Sequence, residues 1–137
     1  MKRYLIDANV LISFVTDRNL GQQIRSAQIF EQAAHGKARL LCPYNVLVEF
    51  AYVLDKVYHQ PKALVRQMLV DLIALPGIEV LPDAEFGDVL QLWPEPLPDL
   101  GDALVAAVAR RESKVVVATF DRAFGQTLKS LKLNVWE

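Results

Sequence analysis

Residues 4–12 read Tyr4-Leu5-Ile6-Asp7-Ala8-Asn9-Val10-Leu11-Ile12. Three consecutive apolar residues suit a strand covered on both faces, because a strand with one wet face alternates apolar and polar positions. A carboxylate follows at once, and the chain then turns helical from about Val10, with Asn9 placed to supply the capping oxygen. A charge set directly behind a buried strand must be hydrogen-bonded or bound to a metal ion.

The same alternation runs outward from this stretch. A second helix is expected through Gln22–Ala34, a strand at Arg39-Leu40-Leu41-Cys42, and a helix opened by Pro43. In that helix Leu47, Phe50, Ala51, Leu54 and Val57 recur at helical spacing. Pro76-Gly77 stops a further helix over about Lys62–Leu75, and Ile78-Glu79-Val80-Leu81 reads as a short strand. A short helix over Ala84–Leu92 precedes Trp93-Pro94-Glu95-Pro96-Leu97-Pro98, whose alternate prolines make a stiff loop. Then come a helix at Leu100–Arg111, a valine-rich strand at Lys114–Ala118, a helix at Arg122–Leu131 and a closing Leu133-Asn134-Val135. Strands separated by helices imply parallel crossovers. The expected fold is α/β, a three-layer α/β/α sandwich with a mostly parallel central sheet, and ligands of such sheets collect at the carboxyl ends of the strands.

A length of 137 residues predicts a single domain over 1–137, and 53% apolar residues suffice for its core. Fifteen basic residues against 16 acidic ones leave a net charge of -1, which excludes a protein coated in positive charge for indiscriminate nucleic-acid binding. Cys42 is the only cysteine, and with only His35 and His59 beside it a Cys/His zinc site is excluded. The longest apolar run, Ala103–Ala109, falls far short of the roughly 20 residues that span a bilayer. The N-terminus meets Asp7 too early for a signal peptide, so a cytoplasmic protein with no membrane segment is expected.

Four carboxylates stand where this fold would bring them to one edge. Asp7 and Asp121 follow strands, Glu49 lies in the first turns of the helix after Pro43, and Asp102 starts the helix at Leu100. Each has a structural reading as well. Asp121 suits the N-cap of the helix at Arg122, Asp99 and Asp102 suit an N-cap and its third position, and Glu49 suits a solvated helix face. If the four converge, two carboxylates about 4–5 Å apart repel by roughly 3–4 kcal/mol at an effective dielectric near 20. No Lys or His lies near them in sequence to neutralise that charge. An all-oxygen acidic pocket suits a hard dication, Mg²⁺ or Mn²⁺.

The order Asp7-Ala8-Asn9-Val10-Leu11-Ile12, Glu49 after Pro43, Gly101-Asp102-Ala103-Leu104-Val105-Ala106-Ala107, and Thr119-Phe120-Asp121 resembles the PIN-domain family, and within it the VapC-like toxins of bacterial toxin–antitoxin pairs. The resemblance spans essentially the whole chain. It departs from some members at Ala123, where they carry a further Asp, and at Pro43-Tyr44-Asn45, where Asn45 stands in for a Ser or Thr. The resemblance implies a metal-dependent endoribonuclease leaving 5′-phosphate and 3′-hydroxyl ends. Asp7 and Asp102 would be the principal metal ligands, and Asp121 and Glu49 would bind a second ion or orient water. Asn9 and Thr119 would hold carboxylates or phosphate by hydrogen bonds.

With so little net charge, the RNA substrate must be met by a local patch drawn from Lys2, Arg3, Arg18, Arg25, Arg110, Arg111, Lys114 and Arg122. Arg18 and Arg122 lie nearest the acids in sequence. The stretches Leu11–Phe30 and Val53–Leu75, with Tyr52, Tyr58, Met68 and Val70, carry more apolar side chains than one core stripe needs. The resemblance makes them a homodimer face and a groove for a small antitoxin protein. Two alternatives stand beside this reading: a non-catalytic PIN-like binding module, and a haloacid-dehalogenase-like phosphatase suggested by Asp7-Ala8-Asn9, which lacks its second acid at Asn9.

Overall fold

The computed structural model describes residues 1–136. In chain order the elements are β1 (Lys2–Ile6), α1 (Ala8–Val15), α2 (Leu20–Ala34), β2 (Ala38–Pro43), α3 (Tyr44–Lys56) and α4 (Lys62–Ile73). They continue with β3 (Ile78–Leu81), α5 (Phe86–Leu90), α6 (Leu100–Arg111), β4 (Val116–Ala118), α7 (Arg122–Ser130) and β5 (Asn134–Val135). The strands pair in the order β3-β2-β1-β4-β5, and every pairing is parallel. The layering follows from burial. Tyr4, Leu5 and Ile6 are all buried although successive side chains point to opposite faces, and so are Leu40, Leu41 and Cys42 in β2. Both faces of the central strands are therefore covered, as their unbroken apolar character predicts.

The order also locates the site. From β1 the chain winds through β2 to β3, then crosses back to enter β4 on the other side of β1. The carboxyl ends of β1 and β4 thus flank the point where the winding reverses, the place at which open α/β sheets bind ligands. Asp7 follows one of these ends and Thr119-Phe120-Asp121 the other, and the Asp7 N–H still donates to the Ala118 carbonyl at 3.0 Å.

Three local expectations are corrected by the structure. Asp7, not Asn9, caps α1: its carboxylate accepts from the Ala8 N–H, and the helix begins at Ala8. Asn9 is left inside the first turn with its side chain free for other partners. Val57 leaves the core stripe of α3 and is 60% exposed, because the helix ends at Lys56 and Val46 takes a buried place beside Phe50 and Leu54. Tyr58 and Met68 turn inward and pack on the core, whereas Tyr52 and Val70 stay exposed.

Candidate active site

Asp7 is the floor of the site, 5% exposed. Its Oδ1 accepts from the Ala8 N–H at 2.8 Å, and its Oδ2 accepts from the Thr119 hydroxyl at 2.8 Å and from Asn9 Nδ2 at 3.2 Å. Asn9 Nδ2 also donates to Thr119 Oγ1 at 3.1 Å, while Asn9 Oδ1 accepts from the Phe120 N–H at 3.0 Å. Thr119 Oγ1 in turn accepts from the Asp121 N–H at 3.1 Å. This closed set ties the end of β1 to the end of β4 and fixes the direction of the Asp7 carboxylate. These donors favour the ionised carboxylate and partly offset the cost of its burial.

The other carboxylates arrive on helix ends. Asp121 caps α7 through the Phe124 N–H at 3.0 Å. Asp99 caps α6 by accepting from the Asp102 N–H at 2.9 Å, so Asp102 sits in that helix's first turn. Glu49 lies on α3, which packs against α6. Both structural readings of Asp121 and Asp99 as caps therefore hold, and capping leaves each of them a second carboxylate oxygen for the site.

The Asp102 carboxyl feels the charge of the other three sequence-predicted carboxylates, Asp7, Glu49 and Asp121, and of a fifth, Asp99. Desolvation raises the Asp102 carboxyl to about 7, and Asp7, Asp99, Asp121 and Glu49 push in the same direction. Burial raises Asp7 as well, partly opposed by its bonds to Thr119 and Ala8 and reinforced by Asp121 and Asp99. Glu49 is raised by partial desolvation of its carboxyl and by Asp7 and Asp99. Among the described residues no Lys or Arg forms an ion pair with any of the five. Nor, among the described residues, are three such side chains drawn together at metal-ligand spacing. The donor set is nevertheless hard, anionic and in need of positive charge, which is the chemistry that suits Mg²⁺ or Mn²⁺.

Asp99 was legible only as a cap. Its signal was the spacing Asp99-x-x-Asp102, because an Ncap and its third position share one edge of a helix end. Near Glu49, Asn45 donates its N–H to Asp83 at 3.0 Å and buries an Oδ1 that has no partner among the described residues.

The structure separates the basic candidates. Arg3 pairs with Glu112 at 2.9 Å, and Arg111 holds the carbonyls of Pro82 and Asp83, so both act as staples. Arg18 buttresses the site from behind, donating to the Asn9 carbonyl at 2.9 Å and to Ser13 Oγ at 3.0 Å. Arg25 and Arg122 line a cleft that also contains Asp121 and Lys129, a cation the sequence did not single out.

The PIN domain family model matches residues 4–129 of the chain. No curated protein matches it in sequence. Among solved structures, PAE2754 from Pyrobaculum aerophilum superposes with a TM-score of 0.69 at 22% identity, covering 98% of this chain and 83% of its own. VapC20 from Mycobacterium tuberculosis, a sarcin-ricin loop cleaving toxin, gives 0.67 at 14% identity over 90% of this chain and 94% of its own. VapBC2 from Rickettsia felis, solved on a DNA fragment from its promoter, gives 0.65 at 14% identity over 98% and 99%. At these identities the likeness is one of fold.

Proposed function

This chain belongs to the PIN domain family, and from that premise we propose that it is a single-domain, divalent-metal-dependent endoribonuclease over residues 1–137 and the toxin of a toxin–antitoxin pair. What supports the reading is the mutually reinforcing charge of Asp7, Glu49, Asp99 and Asp121 on Asp102, with no ion pair to any of the five among the described residues. The VapC20 and VapBC2 likenesses support the toxin and its protein partner.

Asp7 and Asp102 would hold the principal ion, Mg²⁺ or Mn²⁺, with Asp121 and Glu49 on a second ion or on the attacking water. When bound, the dication supplies positive charge to a phosphate oxygen and lowers the pKa of water. The protein's share is preorganisation. Thr119 and Asn9 aim the Asp7 carboxylate, so no reorientation is needed as charge develops on the phosphate. Asp121 and Glu49, acceptors at the rim, would orient the attacking water by hydrogen bonds. The products would carry 5′-phosphate and 3′-hydroxyl ends.

The phosphatase alternative needs a second acid at position 9, but both polar atoms of Asn9 are committed to the β1–β4 junction. A homodimer finds support in the exposed stripe Tyr44, Val48 and Tyr52 along α3. No described helix is long and apolar enough to cross a membrane, and a cytoplasmic setting is part of the proposal.

The test is cleavage of a mixed small-RNA pool by purified protein with Mg²⁺ or Mn²⁺, against EDTA and Asp102→Asn. Cleavage that requires both metal and Asp102 is expected. Cleavage surviving both controls overturns the site, and metal binding without cleavage favours the non-catalytic binding module.

A further inference from the structure

A cleft of about 660 Å³ shares Asp121 with the acid cluster. Its walls combine flat aromatic and cationic groups with amide donors. Trp136 is fixed by its indole N–H on the Thr119 carbonyl at 2.8 Å and by its backbone N–H on Val117 at 3.0 Å. Its ring lies 5.3 Å from that of Phe120, and the Arg25 guanidinium sits 4.4 Å from the Trp136 ring centre. Arg122 and Lys129 add charge at the wall. Gln22 also lines the cleft, and its amide oxygen accepts from Ser13 at 2.9 Å, which leaves its NH₂ as the group it offers a ligand.

We propose that this cleft holds one unpaired nucleotide of the RNA next to the scissile phosphate. The proposal rests on the ribonuclease reading and deepens it. The acid cluster repels a polyanion, so phosphates flanking the cut need cations within a nucleotide's reach, and Arg122 and Lys129 stand on the wall that also carries Asp121. The volume lies in the range of small-ligand sites. Bases stack on aromatic rings and guanidinium planes, and Phe120, Trp136 and Arg25 form a prebuilt set of both. The amide and guanidinium donors face acceptors, which base edges and phosphates both present. An unpaired nucleotide combines all these features, whereas a duplex keeps its bases stacked away from such a cleft.

Trp136 itself is the reporter. The chain has two tryptophans, so Trp93→Phe leaves Trp136 alone, and adding Asp102→Asn preserves the RNA during titration in Mg²⁺. Short single-stranded oligoribonucleotides are expected to quench Trp136 saturably, and the duplex of the same sequence is not. Arg25→Met or the conservative surface change Lys129→Gln should weaken the dissociation constant about tenfold, the low end for losing one stacked base or phosphate contact. The proposal is overturned if an oligonucleotide that wild type cleaves does not quench, or if neither substitution shifts the titration. Quenching by an acidic peptide in place of RNA also overturns it and makes the cleft a protein-docking site. Quenching without any metal-dependent cleavage keeps the cleft and removes the nuclease reading.

Discussion

Asp102→Asn should stabilise the metal-free protein at neutral pH. In the fold this carboxyl is raised from 3.8 to about 7 by desolvation and by four neighbouring acids. A raised acid makes the native state hold its proton after the unfolded chain has released it, so stability falls as pH rises from about 4 to 7 and the penalty is complete above that. A shift of about three units at about 1.4 kcal/mol each bounds the penalty near 4 kcal/mol. Asp102 is only partly buried at an open mouth, and solvent screening reduces this to about 1–2 kcal/mol. For a chain of this size that is about 3–10 °C in Tm. The Asp99 bond to position 102 uses the backbone N–H and survives the substitution. Thermal unfolding in EDTA should therefore show Asp102→Asn melting higher at pH 7.5, with the gain smaller at pH 5 and most of it gone by pH 4. Mg²⁺ or Mn²⁺ should raise wild type more than the variant, because the ion relieves the same repulsion. A natively folded variant that melts no higher than wild type at pH 7.5, or whose gain is equal at pH 5, would refute the reasoning.

Asn9→Ala removes the bridge between Asp7, Thr119 and the Phe120 N–H. It should cost about 1–3 kcal/mol in urea unfolding and weaken dication affinity about 10–100-fold by calorimetry. Gly77→Ala should cost more than 2 kcal/mol (order of magnitude), since φ is 80° and a Cβ would stand 2.7 Å from the Ala33 methyl and 3.1 Å from the Ala38 carbonyl. Gly36→Ala, at φ 72° with open space around it, should cost only about 1 kcal/mol in the same assay. Burial pushes the Cys42 thiol up to about 12, so a thiol reagent at pH 8 should label it only as fast as the protein unfolds.

The sheet was legible because β1 and β2 are apolar at consecutive positions, a pattern that only a strand covered on both faces tolerates. Helix α6 was read at its true bounds, since Asp99 caps it and Arg110 and Arg111 close it. What stayed hidden depended on tertiary neighbours. Asp7 and Asn9 are both good caps, and the choice went to Asp7 because Asn9 is claimed by Thr119 and Phe120, just past the end of β4 and more than 100 residues away. The fate of Tyr58 and Met68 turned on where α3 stops, and a helix end is set by packing as much as by propensity. Asp99 read as a cap is right as far as local structure goes. Its place beside Asp7 and Glu49 needs their approach from two distant parts of the chain.

The two sides of the site are built differently, and the difference bears on how it would respond to an ion. Asp7 and the start of α7 are joined through Thr119 and Asn9 to two adjacent core strands, with Leu5, Ile6, Val117 and Ala118 fully buried beneath them. That side is rigid because moving it would break a buried hydrogen-bond set and disturb a close-packed core. Glu49, Asp99 and Asp102 instead ride on α3 and the start of α6, where Glu49 and Asp99 are exposed and, among the described residues, the one side-chain hydrogen bond of this trio is the cap from Asp99 to the Asp102 N–H. Repulsion among five carboxylates is relieved most cheaply by displacing the side with fewer bonds. A dication should therefore be met by a fixed Asp7 and drawn-in helical carboxylates, so amide shifts on titration with Mg²⁺ should be larger at Glu49 and Leu100–Asp102 than at Ile6–Ala8. Equal shifts on both sides would mean that the β1–β4 junction is no stiffer than the helix ends, and the preorganisation assigned to Thr119 and Asn9 would lose its basis.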